Sequence, residues 1–230
     1  MTDIAVVDYG MGNLRSVAKA LEHVAPGSAV VVTSDADVVR RAARVVVPGQ
    51  GAMRDCMREM DARGLRDAIL GAARDKPFLG ICIGLQMLFE HSEEADTPGL
   101  ALMPGKVRRF PPSEMVDAKG GRLKVPHMGW NEVHQSVAHP LWRDIPDGSR
   151  FYFVHSYFAE PAEPELTAGY SLYPFRFTCA VASGNVFAVQ FHPEKSAEAG
   201  LRLLENFSMW QPDSRSEDRP RSSRSRGLAA

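Results

Sequence analysis

The sequence predicts an α/β fold: an open, mostly parallel central sheet covered by helices on both faces, with an antiparallel-rich second half. Three observations predict it. From Ile4 to Ile81, short apolar-rich runs alternate with stretches whose apolar residues recur at helical spacing. Gly, Pro and Asn punctuate the joins. In the second half the strand-like segments follow one another directly, without helices between them.

Ile4-Ala-Val-Val7 is the first apolar run, and DYGMGN after it is turn-rich. Leu14, Val17, Ala18 and Leu21 then share one face of a helix from Leu14 to Val24. Ala29-Val-Val-Val32 is the second run, followed by the helix-start signal Thr33-Ser-Asp-Ala. Arg44-Val-Val-Val47 is the third, stopped by Pro48-Gly-Gln-Gly51. Helices are predicted around Ala52–Met60 and Gly64–Ala73. Phe78-Leu-Gly-Ile81 is the fourth run, and Leu85–Glu90 begins another helix. Beyond it, Val107–Phe110, Leu123–Val125, Phe151–Phe158, Leu166–Tyr173, Phe177–Ala182 and Val186–Phe191 read as strands. Leu201–Trp210 closes the fold as an amphipathic helix.

No internal repeat or linker interrupts this pattern, so residues 1–210 read as a single domain. Residues 211–230, QPDSRSEDRPRSSRSRGLAA, are rich in Arg and Ser and nearly free of large apolar groups, and read as a disordered tail. A formal net charge of -1 gives no reason to expect nucleic acid or an anionic membrane as a partner. No apolar run approaches the roughly 20 residues that cross a bilayer. Met-Thr-Asp opens the chain without the basic and apolar regions of a signal peptide. Cys56, Cys82 and Cys179 have no C-x-x-C spacing, which argues against a disulfide framework or a zinc site and fits a reducing cytoplasm. Neither a metal nor a cofactor is expected.

Gly80-Ile-Cys82-Ile-Gly84 has the spacing of a nucleophile elbow, G-x-C-x-G, with Cys in place of Ser. A strand turning sharply into a helix lifts the turn residue above the sheet's carboxyl edge, and the crowding leaves no room for a Cβ on either side. The first N–H groups of the helix stabilise negative charge there, and the N–H of Ile83 is placed to donate to an oxyanion. The competing reading is a buried structural cysteine. A nucleophile also needs a base. Val189-Gln-Phe-His-Pro-Glu-Lys195 supplies His192 just past a strand, with Glu194 two residues on to orient the imidazole. His23, His91, His134 and His139 fall in polar, acidic or turn-rich surroundings; His127 and His155 lie beside strands and stay possible. Pro48-Gly49-Gln50-Gly51 ends the third strand and reaches the same sheet edge, where its backbone N–H groups offer a second oxyanion donor.

LGICIGLQMLFE, FHPEKS, PGQGA and VDYGMGNLRSVAKALE together resemble the class I (triad) glutamine amidotransferases. DYGMGNLRSV, PHMGWNEV and FVHSY narrow the resemblance to the glutaminase subunits of imidazole glycerol phosphate synthase, from about Ile4 to Trp210. The resemblance implies a Cys82-His192-Glu194 triad, an oxyanion hole at Gly49, Gln50 and Ile83, and reorientation of the Gly49-Gln50 peptide. Gln50 stands where some relatives carry a small apolar residue. It implies L-glutamine held by Gly51, Gln86, Glu94, Ser156 and Tyr157. It further implies a heterodimer with a (β/α)8-barrel cyclase subunit, which receives ammonia through a channel and makes imidazole glycerol phosphate and aminoimidazole carboxamide ribotide. Asn13, Met128, Trp130, Tyr152 and Lys195 would face that partner, although by themselves Trp130 and Tyr152 read as core packing. Two alternatives stand beside this: a glutaminase serving a different synthase, and a catalytically inert binding module of the same fold.

Overall fold

The computed structural model describes residues 3–117 and 119–212, so the predicted tail lies, from residue 213 on, outside the described residues. The first half contains strands Ile4–Val7 (β1), Val30–Thr33 (β2), Arg44–Gly49 (β3) and Phe78–Cys82 (β4). Between them lie helices Leu14–Val24 (α1), Ala36–Arg41 (α2), Met53–Ala62 (α3) and Arg66–Asp75 (α4), and Ile83–Gln86 (α5) follows β4. The second half contains Phe89–Ser92 (β5), Thr97–Pro98 (β6), Met103–Arg109 (β7), His127–Glu132 (β8), His134–Gln135 (β9), Arg150–His155 (β10), Tyr157–Pro161 (β11), Thr167–Leu172 (β12), Arg176–Ser183 (β13) and Val186–Val189 (β14). Helix Ala197–Met209 (α6) closes it.

The main sheet runs β2-β1-β3-β4-β14-β13-β11-β7-β5-β6, and its first five strands are mutually parallel. The inner strands are continuously apolar because both faces are covered, and β1, β4 and β14 are buried at every position, whereas edge strand β2 is partly exposed. Helix α1 turns Val17, Ala18, Ala20 and Leu21 inward, as its periodicity predicts. Helix α2 starts where the Asp35 carboxylate accepts the N–H groups of Asp37 and Val38. The predicted α/β class is the observed one. Among the described residues no helix is long and apolar enough to cross a membrane.

A separate two-stranded ribbon, β8 with β10, packs on this sheet. Alternation in β10 sends Phe151, Phe153 and His155 inward, where Phe151 stacks 4.1 Å from Phe191. The outward positions pair Tyr152 with Trp130 and Val154 with Met128.

Three predicted elements differ. The helix over Leu85–Glu90 is a single turn, Ile83–Gln86, after which the chain becomes β5. Tertiary pairing overrides helical propensity here: the carbonyls of Met87, Leu88 and Phe89 accept N–H groups of residues 100 to 103 instead of continuing a helix. His91 therefore lies in a strand, and Glu94 in the turn before β6. Leu123–Val125 is loop before Pro126, and the strand begins at His127. The predicted strand Phe151–Phe158 breaks at Ser156, so that β10 and β11 belong to different sheets.

Candidate active site

Strands β3 and β4 end side by side, with Gly49 opposite Cys82, and the chain leaving β14 brings His192 to the same carboxyl edge. This is where ligands bind in open α/β sheets. Cys82 has φ 57° and ψ −108°, a conformation costing about 1–3 kcal/mol that persists only where its surroundings impose it. Its glycines impose it. A Cβ on Gly84 would lie 1.9 Å from the Val47 carbonyl oxygen, and one on Gly80 would lie 2.6 Å from that of Gly84. Cys82 is thereby carried at the strand–helix junction, 5% exposed, on the wall of a cavity of about 320 Å3.

His192 lines the same cavity. Its Nδ1 is 2.9 Å from Glu194 Oε1, which leaves Nε2 as the nitrogen available for chemistry. Nε2 and Glu194 Oε2 have no hydrogen-bond partner among the described residues. The backbone holds the ring as well, since the His192 N–H donates to the Tyr152 carbonyl and the Ser196 hydroxyl donates to the His192 carbonyl. Burial alone lowers the imidazole's proton affinity, but Cys82 and Glu194 outweigh it and raise His192. The thiol is thus a close electrostatic neighbour even though no Nε2 hydrogen bond has formed, as is common before substrate arrives.

Gln50, Gly51, Ile83, Gln86, Glu94, Ser156 and Tyr157 also line the cavity, so it gathers nearly every predicted substrate and oxyanion residue. Gly49 sits beside it, packed so tightly that a Cβ would lie 2.6 Å from Ile83 Cβ and from the Tyr9 hydroxyl. Glu94 accepts the Met53 N–H through Oε2 at 2.7 Å, which caps α3 and orients the carboxylate. Gln86 Nε2 donates to Gln190 Oε1 at 3.0 Å and to the Tyr157 carbonyl at 3.3 Å, while its own Oε1 is buried without a partner among the described residues. Ile83 opens α5, where N–H groups have no acceptor within the helix.

The predicted interface residues lie outside this lining. Met128 and Trp130 are 64% and 47% exposed, which removes Trp130 from the core that its type suggests. Trp130 meets Tyr152 edge-on, and Lys195 Nζ lies 5.9 Å from the Tyr152 ring. Asn13 precedes α1 and is half-buried.

Three contributors escape the sequence reading. The Tyr9 hydroxyl donates to the Pro48 carbonyl and the Cys56 thiol to the Gln50 carbonyl, so both peptides flanking Gly49-Gln50 are pinned. Burial keeps both donors protonated, holding Tyr9 well above its usual value and pushing Cys56 up to about 11. Gln190 is fully buried and donates to Cys82 Sγ at 3.7 Å. Its signal was there to read: one amide inside the apolar run VFAVQF.

The glutamine amidotransferase class-I family model matches residues 5–210. The imidazole glycerol phosphate synthase subunit HisH of Thiobacillus denitrificans is 70% identical over 210 residues, 91% of this chain and 92% of that protein. The subunit of that name from Nitrosospira multiformis is 68% identical over 212 residues, 92% of this chain and 100% of that protein. Among solved structures, one glutamine amidotransferase has a TM-score of 0.65 at 16% identity, over 89% of this chain and 98% of that one. Another, from Thermotoga maritima, has a TM-score of 0.56 at 17% identity, over 90% and 82%. The structural likenesses speak for the fold; with the sequence matches they lead to one conclusion. This chain belongs to the class-I glutamine amidotransferase family.

Proposed function

We propose that the protein is the glutaminase subunit of an imidazole glycerol phosphate synthase, hydrolysing L-glutamine and passing ammonia to a cyclase subunit in histidine biosynthesis. The observation that carries this reading is Cys82, held at a left-handed elbow in one cavity with a His192 whose Nδ1 is already bonded to Glu194. The relatives' names, each a subunit of an imidazole glycerol phosphate synthase, support that synthase and a partner subunit.

Glutamine enters the cavity with its ammonium towards Glu94, whose charge complements it, and with a donor towards the orphaned Gln86 Oε1. Ser156 and Tyr157 contribute backbone at the wall, and Gly51 leaves room beside the α-carbon. Cys82 Sγ, as thiolate with its proton already held on His192 Nε2, attacks the side-chain carboxamide carbon. The oxyanion meets the N–H groups of Ile83 and Gln50, the latter after the Gly49-Gln50 peptide turns between its two pinned neighbours. His192 protonates the departing ammonia, leaving a γ-glutamyl thioester. Water, deprotonated by the same imidazole, releases glutamate and restores the thiol. Glu194 stabilises the imidazolium formed in each half.

Ammonia released into water would be protonated and lost as a nucleophile, so it travels through a channel in a (β/α)8-barrel cyclase. The face bearing Asn13, Met128, Trp130, Tyr152 and Lys195 docks that barrel as a heterodimer in the cytoplasm. Its exposed aromatic and methionine side chains suit an interface core. The test is Cys82→Ser assayed in complex with the cyclase. Glutamine-dependent turnover should vanish while turnover with ammonium salts is kept; equal loss of both, or retained glutaminase, defeats the reading.

A further inference from the structure

We infer that Gln190 is a further catalytic residue: its carboxamide N–H donates to Cys82 Sγ and steadies negative charge on the nucleophile, held in that direction by a hydrogen-bonded chain through Gln86 and the Tyr157 carbonyl to the His155–His127 pair. This rests on the glutaminase reading above and names a role that the triad leaves unassigned.

The direction of the Gln190 amide follows from what each neighbour is able to do. A backbone carbonyl only accepts, so the Gln86 atom 3.3 Å from the Tyr157 oxygen is the amide nitrogen. That nitrogen is also 3.0 Å from one end of Gln190, which must therefore be oxygen. The other end, 3.7 Å from Cys82 Sγ, is then the NH2 group. A sulfur carrying negative charge is a far better acceptor than a thiol, so the bond strengthens as the nucleophile forms.

The same logic runs backwards from Tyr157. His155 Nδ1 is 2.8 Å from that carbonyl and so carries a proton, which fills the oxygen's second acceptor site. His155 Nε2 is left to accept from His127 Nδ1 at 2.9 Å, and His127 Nε2 accepts from Asn131 Nδ2 at 3.2 Å. Asn131 is anchored in turn by donating to the Leu172 carbonyl and accepting from the Glu132 N–H. Every donor in the chain has one acceptor, with both histidines neutral. Burial supports that state, lowering His127 to about 4 and, with His127 beside it, His155 to about 3. The far end of the chain lies in β8, on the face opposite the exposed side chains of Met128 and Trp130.

The test uses the full chain bound to its cyclase and reads the rate at which iodoacetamide alkylates Cys82, located by peptide mass, beside glutaminase kinetics. Gln190→Met removes the donor with little change of volume; Gln190→Glu keeps the shape and places a carboxylate at the sulfur. For Gln190→Met, alkylation near neutral pH and kcat should both fall about tenfold with KM nearly unchanged and ammonium-dependent turnover kept. Gln190→Glu should fall further. If both variants fold and alkylate at the wild-type rate, Gln190 only packs and the inference is overturned. Should Gln190→Met fail to fold, Gln190→Glu decides alone. If complete alkylation of wild-type Cys82 leaves glutaminase intact, the functional reading fails instead.

Discussion

Cys82 adopts a backbone that an L-residue visits only under constraint, and the constraint is the absence of two Cβ atoms. Gly84→Ala would drive a methyl into the Val47 carbonyl at 1.9 Å, backbone against backbone with nothing able to give way. We expect a loss of about 3 kcal/mol in denaturant unfolding, together with loss of glutaminase. A chain of wild-type stability would show that the elbow relaxes freely. Beside Cys82, the Glu194 carboxylate acts on His192 through a single 2.9 Å bond. Glu194→Gln keeps the shape but withdraws the charge that helps raise His192. Steady-state kinetics should show kcat down about 10^3-fold with KM little changed; a loss carried by KM would move Glu194 from proton transfer to substrate binding.

Among the elements, the turn between β5 and β6 reaches across to the start of α3 through Glu94. The carboxylate caps the Met53 N–H and, in the proposed function, meets the substrate ammonium; two substitutions separate these tasks. Glu94→Gln retains an acceptor for the cap, so stability should hold while KM for glutamine rises about tenfold or more. Glu94→Ala should add about 1 kcal/mol of destabilisation from the lost cap. Equal KM for both variants and the wild type would leave Glu94 as a helix cap alone. The broken strand at Ser156 matters at the same scale. Ser156 and Tyr157, at the break between β10 and β11, line the cavity.

Across the whole molecule, the ribbon β8–β10 and the main sheet meet over a buried layer that contains His127 and His155. Both lie below the ordinary histidine value of 6.5, at about 4 and about 3, and His139 is also held at about 4 by burial. The unfolded chain therefore binds more protons between those values and 6.5, so stability is full above about pH 6.5 and falls as pH drops towards 4. His192 has the opposite sign: its raised value contributes stability below 6.5 that is lost as pH rises through about 10. Urea midpoints should decline steeply between neutral pH and roughly pH 4.5, and His127→Gln with His155→Gln should flatten that decline. A wild-type profile level across the window would place the pair in solvent contact. On the outer side of the same ribbon, Met128→Ser with Trp130→Ser should leave the free energy of urea unfolding within about 0.5 kcal/mol while weakening cyclase binding in titration calorimetry. Unchanged affinity would move the docking face elsewhere.

The chain order of apolar runs and turns determined the parallel half, because a strand buried on both faces must be apolar at every position, as β1, β4 and β14 are. The glycines around Cys82 and the run from His192 to Glu194 were equally legible, since strain and proton transfer each demand particular residue types at short spacing. Packing alone decided the rest. The helix expected at Leu85–Glu90 gave way to strand because distant N–H groups claimed its carbonyls. Trp130 faces solvent because its ribbon turns Phe151 and Phe153 inward instead. Gln190 reaches the sulfur and Tyr9 the Pro48 carbonyl across separations that no local pattern encodes, and Cys56 turns back onto the Gln50 carbonyl from within α3. Spacing along a chain specifies which neighbours a residue has within one turn or strand; only the folded sheet specifies which groups from elsewhere meet it.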